Sequence, residues 1–480
     1  LENNTPASGG SFIRSLTLLD GALLVIGSMI GSGIFIVSAD ISRQLGSAGW
    51  LIATWLLSGF ITLAAALSYG ELSGMYPKAG GQYVYLREAF GKLYGFLYGW
   101  SFFAVIQTGT IAAVGVGFAK FTGYLVPSLG DSNILIGDPG GFNISAAQVF
   151  GIVIIFLLTY INTMGIKSGK WIQFFFTFAK IAAMGALILF GFLFFKDHSI
   201  WQTNWTQPWM AHSIAKGADG AITHNSLFGL AIMGPLCAAM VGALFSSDAW
   251  NNVTFIAGEI KKPERNIGLS LLIGTVVVTV IYISMNLMYL NVMSIPEIAN
   301  APSDRVALAA ALKIFGSTGT TFIALMIMVS TFGCNNGLIL SGSRVYYTMA
   351  NDGLFLPAAK KLNKKGVPAA ALWMQFIWAS ALCLSGKYGD LLDFIIFTVL
   401  IFYILTIAGI FKLRKTQPDM PRPYKAFGYP FIPLLYIILA ATICIVLLFY
   451  KPMYTWPGLI IVLAGIPIYY IVQKSNNANE

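Results

Sequence analysis

Apolar stretches of about 20 residues recur along almost the whole chain, and few sequence patterns limit a fold so tightly. Hydrocarbon offers no partner to backbone amides and carbonyls, so such a stretch must satisfy them internally, as a helix. Read in order, the windows give twelve candidate spans at 17–44, 48–73, 92–124, 147–165, 171–195, 227–257, 267–293, 319–350, 369–386, 389–411, 429–450 and 455–473. The third and eighth are long enough to imply tilt. Only 10% of the residues are charged and 57% are hydrophobic, which excludes an ordinary soluble domain. The expected fold class is therefore an all-α polytopic membrane protein with about 12 transmembrane helices. No cleavable signal peptide is read, because a polar N-terminus leads straight into the first span.

A formal net charge of +10 raises the question of nucleic acid, and the placement of the charge answers it. With both termini on the cytoplasmic side, 20 of the 29 basic residues fall on inner segments and 8 on outer ones. Lys180 remains, inside a span. That asymmetry is the positive-inside pattern of a plasma (inner) membrane protein, and it accounts for the charge with the lipid bilayer as partner and no nucleic acid.

Two of the spans are flawed in the same way. The first carries Gly27-Ser28-Met29-Ile30-Gly31-Ser32-Gly33 at its middle, where glycines release the backbone from helical geometry. In the sixth, Gly234-Pro235 is followed by Phe245-Ser246-Ser247-Asp248-Ala249-Trp250-Asn251-Asn252, too polar for lipid. Counting spans 1–5 and 6–10 as halves, the breaks occupy corresponding positions. Such a pair points to a 5+5 inverted repeat with discontinuous helices 1 and 6, two additional helices, and a binding site at the midplane. The expected organisation is a cytoplasmic tail 1–13, a core 14–411 with halves 14–195 and 227–411, and a proline-rich basic connector 412–428. The additional helices follow at 429–473, with a C-terminal tail at 474–480.

Chemistry of other kinds finds little support. His198, His212 and His224 share one outer loop without metal-ligand spacing, and neither a phosphate loop nor a nucleophile constellation is present. No enzyme activity, cofactor or metal is expected. The four cysteines, Cys237, Cys334, Cys383 and Cys444, lie in apolar stretches and read as small buried hydrophobes.

Three motifs carry a family resemblance: Gly27 to Phe35, Pro77-Lys78-Ala79-Gly80-Gly81-Gln82-Tyr83, and Phe245 to Asn251 followed by Glu259-Ile260-Lys261-Lys262-Pro263. From about residue 14 to 430 the chain resembles the amino acid–polyamine–organocation (APC) superfamily. Trp250-Asn251 and Phe178-Ala179-Lys180 make it most similar to the L-type amino acid transporter (LAT) family, including its bacterial exchangers. The resemblance implies sodium-independent exchange of small neutral amino acids by alternating access. A proton-coupled amino acid or polyamine symporter of the same fold is the alternative, and an ion channel a more remote one. It places Ser28, Met29, Ile30, Gly31, Ser32 and Gly33 at the substrate, with Phe245 as outer gate and Asn251 lining the side-chain subsite. The helix ends agree on chemical grounds: free amides after Ser32 suit a carboxylate, and carbonyls around Ile26–Gly27 and from Phe245 through Ser246 to Asp248 suit an ammonium.

Two charges in apolar surroundings need a reason. By the same resemblance Lys180 stands in for the cation of sodium-coupled relatives, either as a fixed charge or as a proton carrier. Asp248 reads equally as a partner for a substrate's positive group or as a cap for the inner half-helix. Glu71, Glu259 and Arg344 are candidate gate residues that pair and separate, with plain surface pairing left open. The human-type members hold an ancillary subunit through an outer cysteine after the third span. Residues 125–146 contain none, so no disulfide-linked subunit is expected. The oligomeric state is left open.

Overall fold

The computed structural model describes residues 14–138, 143–195, 197–216, 222–385 and 388–477. The tail 1–13, residues 478–480, and Lys196 and Lys387 of the charge count lie outside the described residues.

The first half of the chain folds as α1 (Leu18–Met29), α2 (Val37–Leu45), α3 (Ala48–Met75), α4 (Gln82–Phe90), α5 (Lys92–Ser101), α6 (Gln107–Leu125), α7 (Ala146–Thr163), α8 (Ile166–Leu193) and α9 (His198–Trp205). Next come α10 (Met233–Ser246), α11 (Asn252–Phe255), α12 (Pro263–Val292), α13 (Ile295–Ala299) and α14 (Val306–Asn351). The chain closes with α15 (Ala369–Ser385), α16 (Tyr388–Thr416), α17 (Phe431–Tyr450) and α18 (Pro452–Asn477). Among the described residues ten helices are long and apolar enough to cross a bilayer, while α1 and α15 are shorter apolar helices.

Local chemistry sets several boundaries. Thr17 caps α1 in a reciprocal box with Asp20, and Ser145 caps α7 in the same way with Gln148. Gly46, at φ 59°, ends α2 in the left-handed conformation that glycine tolerates. The third span is one path interrupted by a π-helical turn at Phe102–Ile106, a departure that sequence reading did not anticipate. The eighth begins earlier than expected, at Val306, and bends where Gly316 takes φ 70°.

The polar loops contain two antiparallel hairpins, β1 (Ile134–Gly137) with β2 (Asn143–Ser145) and β3 (His212–Lys216) with β4 (Ile222–Ser226). They lie on one side of the bundle, here the hairpin face. The second packs on the end of α2 so closely that a Cβ on Gly46 would lie 2.2 Å from the His212 carbonyl oxygen.

The packing pairs early with late elements: α3 lies along α12, α6 along α14, and α1 against α12, α8 and α14. On the face opposite the hairpins, the segment before α1 pairs with the segment after α11. The amides of Ser15 and Leu16 both donate to the Glu259 carbonyl at 3.0 Å, and Lys261 N donates back to Leu16 O at 2.8 Å. α17 and α18 pack outside this arrangement, mainly on α16 and α5.

Candidate functional site

α1 stops inside the bundle. Ile30 leaves helical geometry at ψ 88°, a single 3-10 turn follows at Gly33–Phe35, and α2 resumes at Val37. A helix that ends leaves its last four carbonyls without intrahelical partners, and lipid supplies none. Three other helices provide them. The Lys180 ammonium on α8 donates to Gly27 O at 2.9 Å and to Ile30 O at 2.7 Å. The Cys334 thiol on α14 reaches Ser28 O at 2.9 Å, and the Tyr282 hydroxyl on α12 reaches Met29 O at 3.0 Å. Ser330 adds a longer bond to Ile30 O, at 3.4 Å.

The second break has a different chemistry. α10 ends at Ser246, where Ser247 N turns back to Ala243 O and Leu244 O and Asp248 N to Phe245 O. Ala249 takes φ 63°, and the chain re-enters helix only at Asn252, with Asn251 in the N-cap position. Asp248 therefore lies ahead of the short helix and is not its cap. Its carboxylate instead accepts from the Tyr403 hydroxyl of α16 at 2.6 Å. Asn251 donates to Gln82 at 3.1 Å, and Gln82 to Thr406 at 3.0 Å, tying the break to α4 and α16. Phe245 is buried in the last turn of α10.

The two breaks face each other. A Cβ on Gly33 would stand 2.1 Å from Ser246 Oγ and 3.2 Å from Ser246 Cα, so the backbones approach as closely as glycine allows. Overpacking in such a place costs about 1–3 kcal/mol. Gly33→Ala is expected to lower transport by about fivefold to a hundredfold, since 1.4 kcal/mol is a factor of ten. Uptake by proteoliposomes made from monodisperse protein checks this, and an unimpaired variant would show that the close approach does not matter.

Toward the hairpin face a cavity of about 910 Å³ opens between α2, α6, α10 and α16, with Ile36, Val37 and Gly242 at its walls. A separate cavity beside Asp248 and Asn251 measures only about 10 Å³, about the room of one water. Below it Arg344 Nε meets Glu259 at 2.9 Å with both side chains fully buried, while Arg344 Nη1 holds Leu340 O at 2.7 Å.

Glu71 lies elsewhere. Its carboxylate accepts from Arg414 at 2.6 and 3.0 Å and from the Ala426 amide at 2.7 Å, with Arg422 at 3.3 Å. It thus fastens α3 to the segment between α16 and α17, and does not join the Glu259–Arg344 pair.

Tyr282, Ser330 and Tyr403 are not singled out by the sequence, and Cys334, which reads there as a small buried hydrophobe, donates to Ser28 O. A signal existed for one region only: Cys334-Asn335-Asn336 is a polar run inside an apolar helix. Tyr282 sits in Val-Ile-Tyr-Ile, which nothing local distinguishes from a lipid-facing stretch.

Two helices interrupted at facing points, inside a bundle of helices long and apolar enough to cross a bilayer, are the architecture of a membrane carrier. Comparison with known proteins gives the carrier its family. Residues 16–472 match the amino acid permease family, so the chain belongs to it and is a membrane amino-acid transporter rather than an enzyme. The serine/threonine exchanger SteT of Bacillus subtilis (strain 168) is 31% identical over 465 residues, 96% of this chain and 97% of that one. The large neutral amino acids transporter small subunit 2 of Homo sapiens is 27% identical, over 98% of this chain and 82% of its own. The b(0,+)-type amino acid transporter 1 of Mus musculus is 25% identical, over 98% and 90%. The similarity thus extends to several kinds of amino-acid transporter.

Proposed function

We propose that the protein exchanges small neutral L-amino acids, such as alanine, serine, cysteine or threonine, without sodium and by alternating access. One observation carries the reading: the Lys180 ammonium sits between the carbonyls of Gly27 and Ile30 at the first break. A fixed positive charge there does what a coupling cation would do, which removes the need for one. The likeness to a serine/threonine exchanger supports the substrate size.

In this reading the chain is of the LAT type, with twelve spans in two inverted sets of five plus two. α1 with α2 forms span one, and α10 with α11 forms span six. The packing of α3 on α12 and of α6 on α14 supports it, because spans next to a pseudo-twofold axis lie beside their mates in the other repeat. The substrate carboxylate meets the amides at Ser32 and Gly33, and its ammonium the carbonyls of the two helix ends. Ser28 to Gly31 line the same break, Phe245 closes over the substrate, Asn251 borders its side chain, and Glu259 with Arg344 forms the inner gate. The basic residues support cytoplasmic termini in the plasma membrane.

A second reading, proton-coupled symport, is favoured by Asp248, a buried carboxylate held by Tyr403 at the other break. Uptake of radiolabelled L-serine or L-alanine into proteoliposomes, without sodium or a pH gradient, separates the two. Exchange requires uptake only into vesicles preloaded with amino acid. Uptake into empty vesicles that grows on acidifying the outside would replace exchange by symport.

A further inference from the structure

We infer that Tyr282 is a positioning residue for the substrate's ammonium, joining the two interrupted helices through a single hydroxyl. Its oxygen lies 3.0 Å from Met29 O, in the last turn of α1, and 2.9 Å from Ser246 O, in the last turn of α10. One proton is shared between two carbonyls that belong to opposite halves of the chain, 253 and 36 residues away. The ring is almost fully buried and held edge-on by Trp55 of α3 at 5.3 Å, so the hydroxyl has little freedom to turn away.

The consequence concerns geometry more than attraction. The carbonyls of two helix ends repel one another when they converge, and nothing in the backbone keeps them aimed at a common point. A donor placed between them removes that repulsion. Each carbonyl oxygen has a second lone pair, and an ammonium has three protons to share. Met29 O also accepts from Gly31 N at 2.9 Å, so its two lone pairs are taken and it anchors the hydroxyl to α1, while Ser246 O, fixed by the same hydroxyl, keeps a second lone pair for a positive group. Pre-alignment by a residue that is itself locked by packing is what keeps a polar site tight.

The inference rests on the proposed reading that these helix ends receive an amino acid's ammonium. Tyr282→Phe keeps the ring and its packing and removes only the hydroxyl. KM for L-alanine is expected to rise about tenfold, as for the loss of support to a charge-assisted hydrogen bond, while the maximal rate and the melting temperature change little. Tyr289→Phe is the control: Tyr289 is also buried on α12 and donates to Ile34 O at 3.3 Å, but that carbonyl lies in the 3-10 turn between α1 and α2 and not at either helix end. It is expected to leave KM within about twofold, since a long neutral bond contributes little. The inference is overturned if Tyr282→Phe leaves KM unchanged, lowers it as removal of a competitor would, or matches Tyr289→Phe. A wild-type protein that transports no amino acid would instead remove the reading beneath it, and this inference with it.

Discussion

Replacing Lys180 by methionine is expected to reduce exchange by about a hundredfold or more, with the protein still folded and inserted. Methionine keeps most of the side chain's volume and removes its charge and all three donors. The carbonyls of Gly27 and Ile30 would then lack the partner that now reaches both, at 2.9 and 2.7 Å, in a site where Lys180 is 1% exposed. An unsatisfied buried acceptor costs about 1–3 kcal/mol. Gly27 O without this donor, and Ile30 O left with the long bond from Ser330, are enough to move the half-helix that carries Ser28 and Met29. Since about 2.7 kcal/mol corresponds to a hundredfold in rate or affinity, the loss should be large even if the ends relax in part. Arginine should not rescue, because its rigid planar fork cannot place one donor between two carbonyls as a compact ammonium does. Exchange in preloaded proteoliposomes and substrate binding in detergent measure the effect. A methionine variant with normal exchange would show that the charge has no part in the cycle.

That prediction also marks the limit of what the residues reveal by themselves. Lys180 is legible as an anomaly, since a charge in an apolar run needs a reason. The break in the first span is legible too, because three glycines and two serines have no business in the middle of an ordinary span. What joins them is not legible, for Lys180 lies 153 residues from Gly27 and 150 from Ile30. No local pattern encodes a contact at that separation. The same holds for Glu71, which reads as one more inner-face acid and proves to clasp Arg414 in the last turn of α16 and Arg422 beyond it. Span boundaries follow hydrophobicity and so fail where the chain bends without becoming polar, as at Phe102–Ile106 and Gly316. Strand pairing in the β3–β4 hairpin escapes for the opposite reason, its residues being too polar to alternate visibly.

The second large effect is expected at the face opposite the hairpins, and it depends on which side chains are changed together. Glu259 and Arg344 are both fully buried, and the Glu259 carbonyl also holds the amides of Ser15 and Leu16. Removing one partner strands a charge in a dry site, which costs about 3–5 kcal/mol. Arg344→Met alone should therefore melt several degrees below wild type and lose exchange. Replacing both, as in Glu259→Met with Arg344→Met, is often neutral or stabilising by about 1–4 kcal/mol, so the melting temperature should recover. Exchange should not recover with it. If the pair gates this face as proposed, it gives up hydration when the face closes and regains it when the face opens, so the two states stay close in free energy. An apolar pair is favoured only in the closed state, at about 25 cal/mol per Å² withheld from water, and biases the carrier toward that state. The double variant should turn over about tenfold more slowly than wild type at unchanged KM, which corresponds to a bias of about 1.4 kcal/mol. Melting curves in detergent and exchange rates in proteoliposomes decide the matter together. A double variant as fast as wild type would mean that the pair is scaffold, and that closure on this face depends on other contacts.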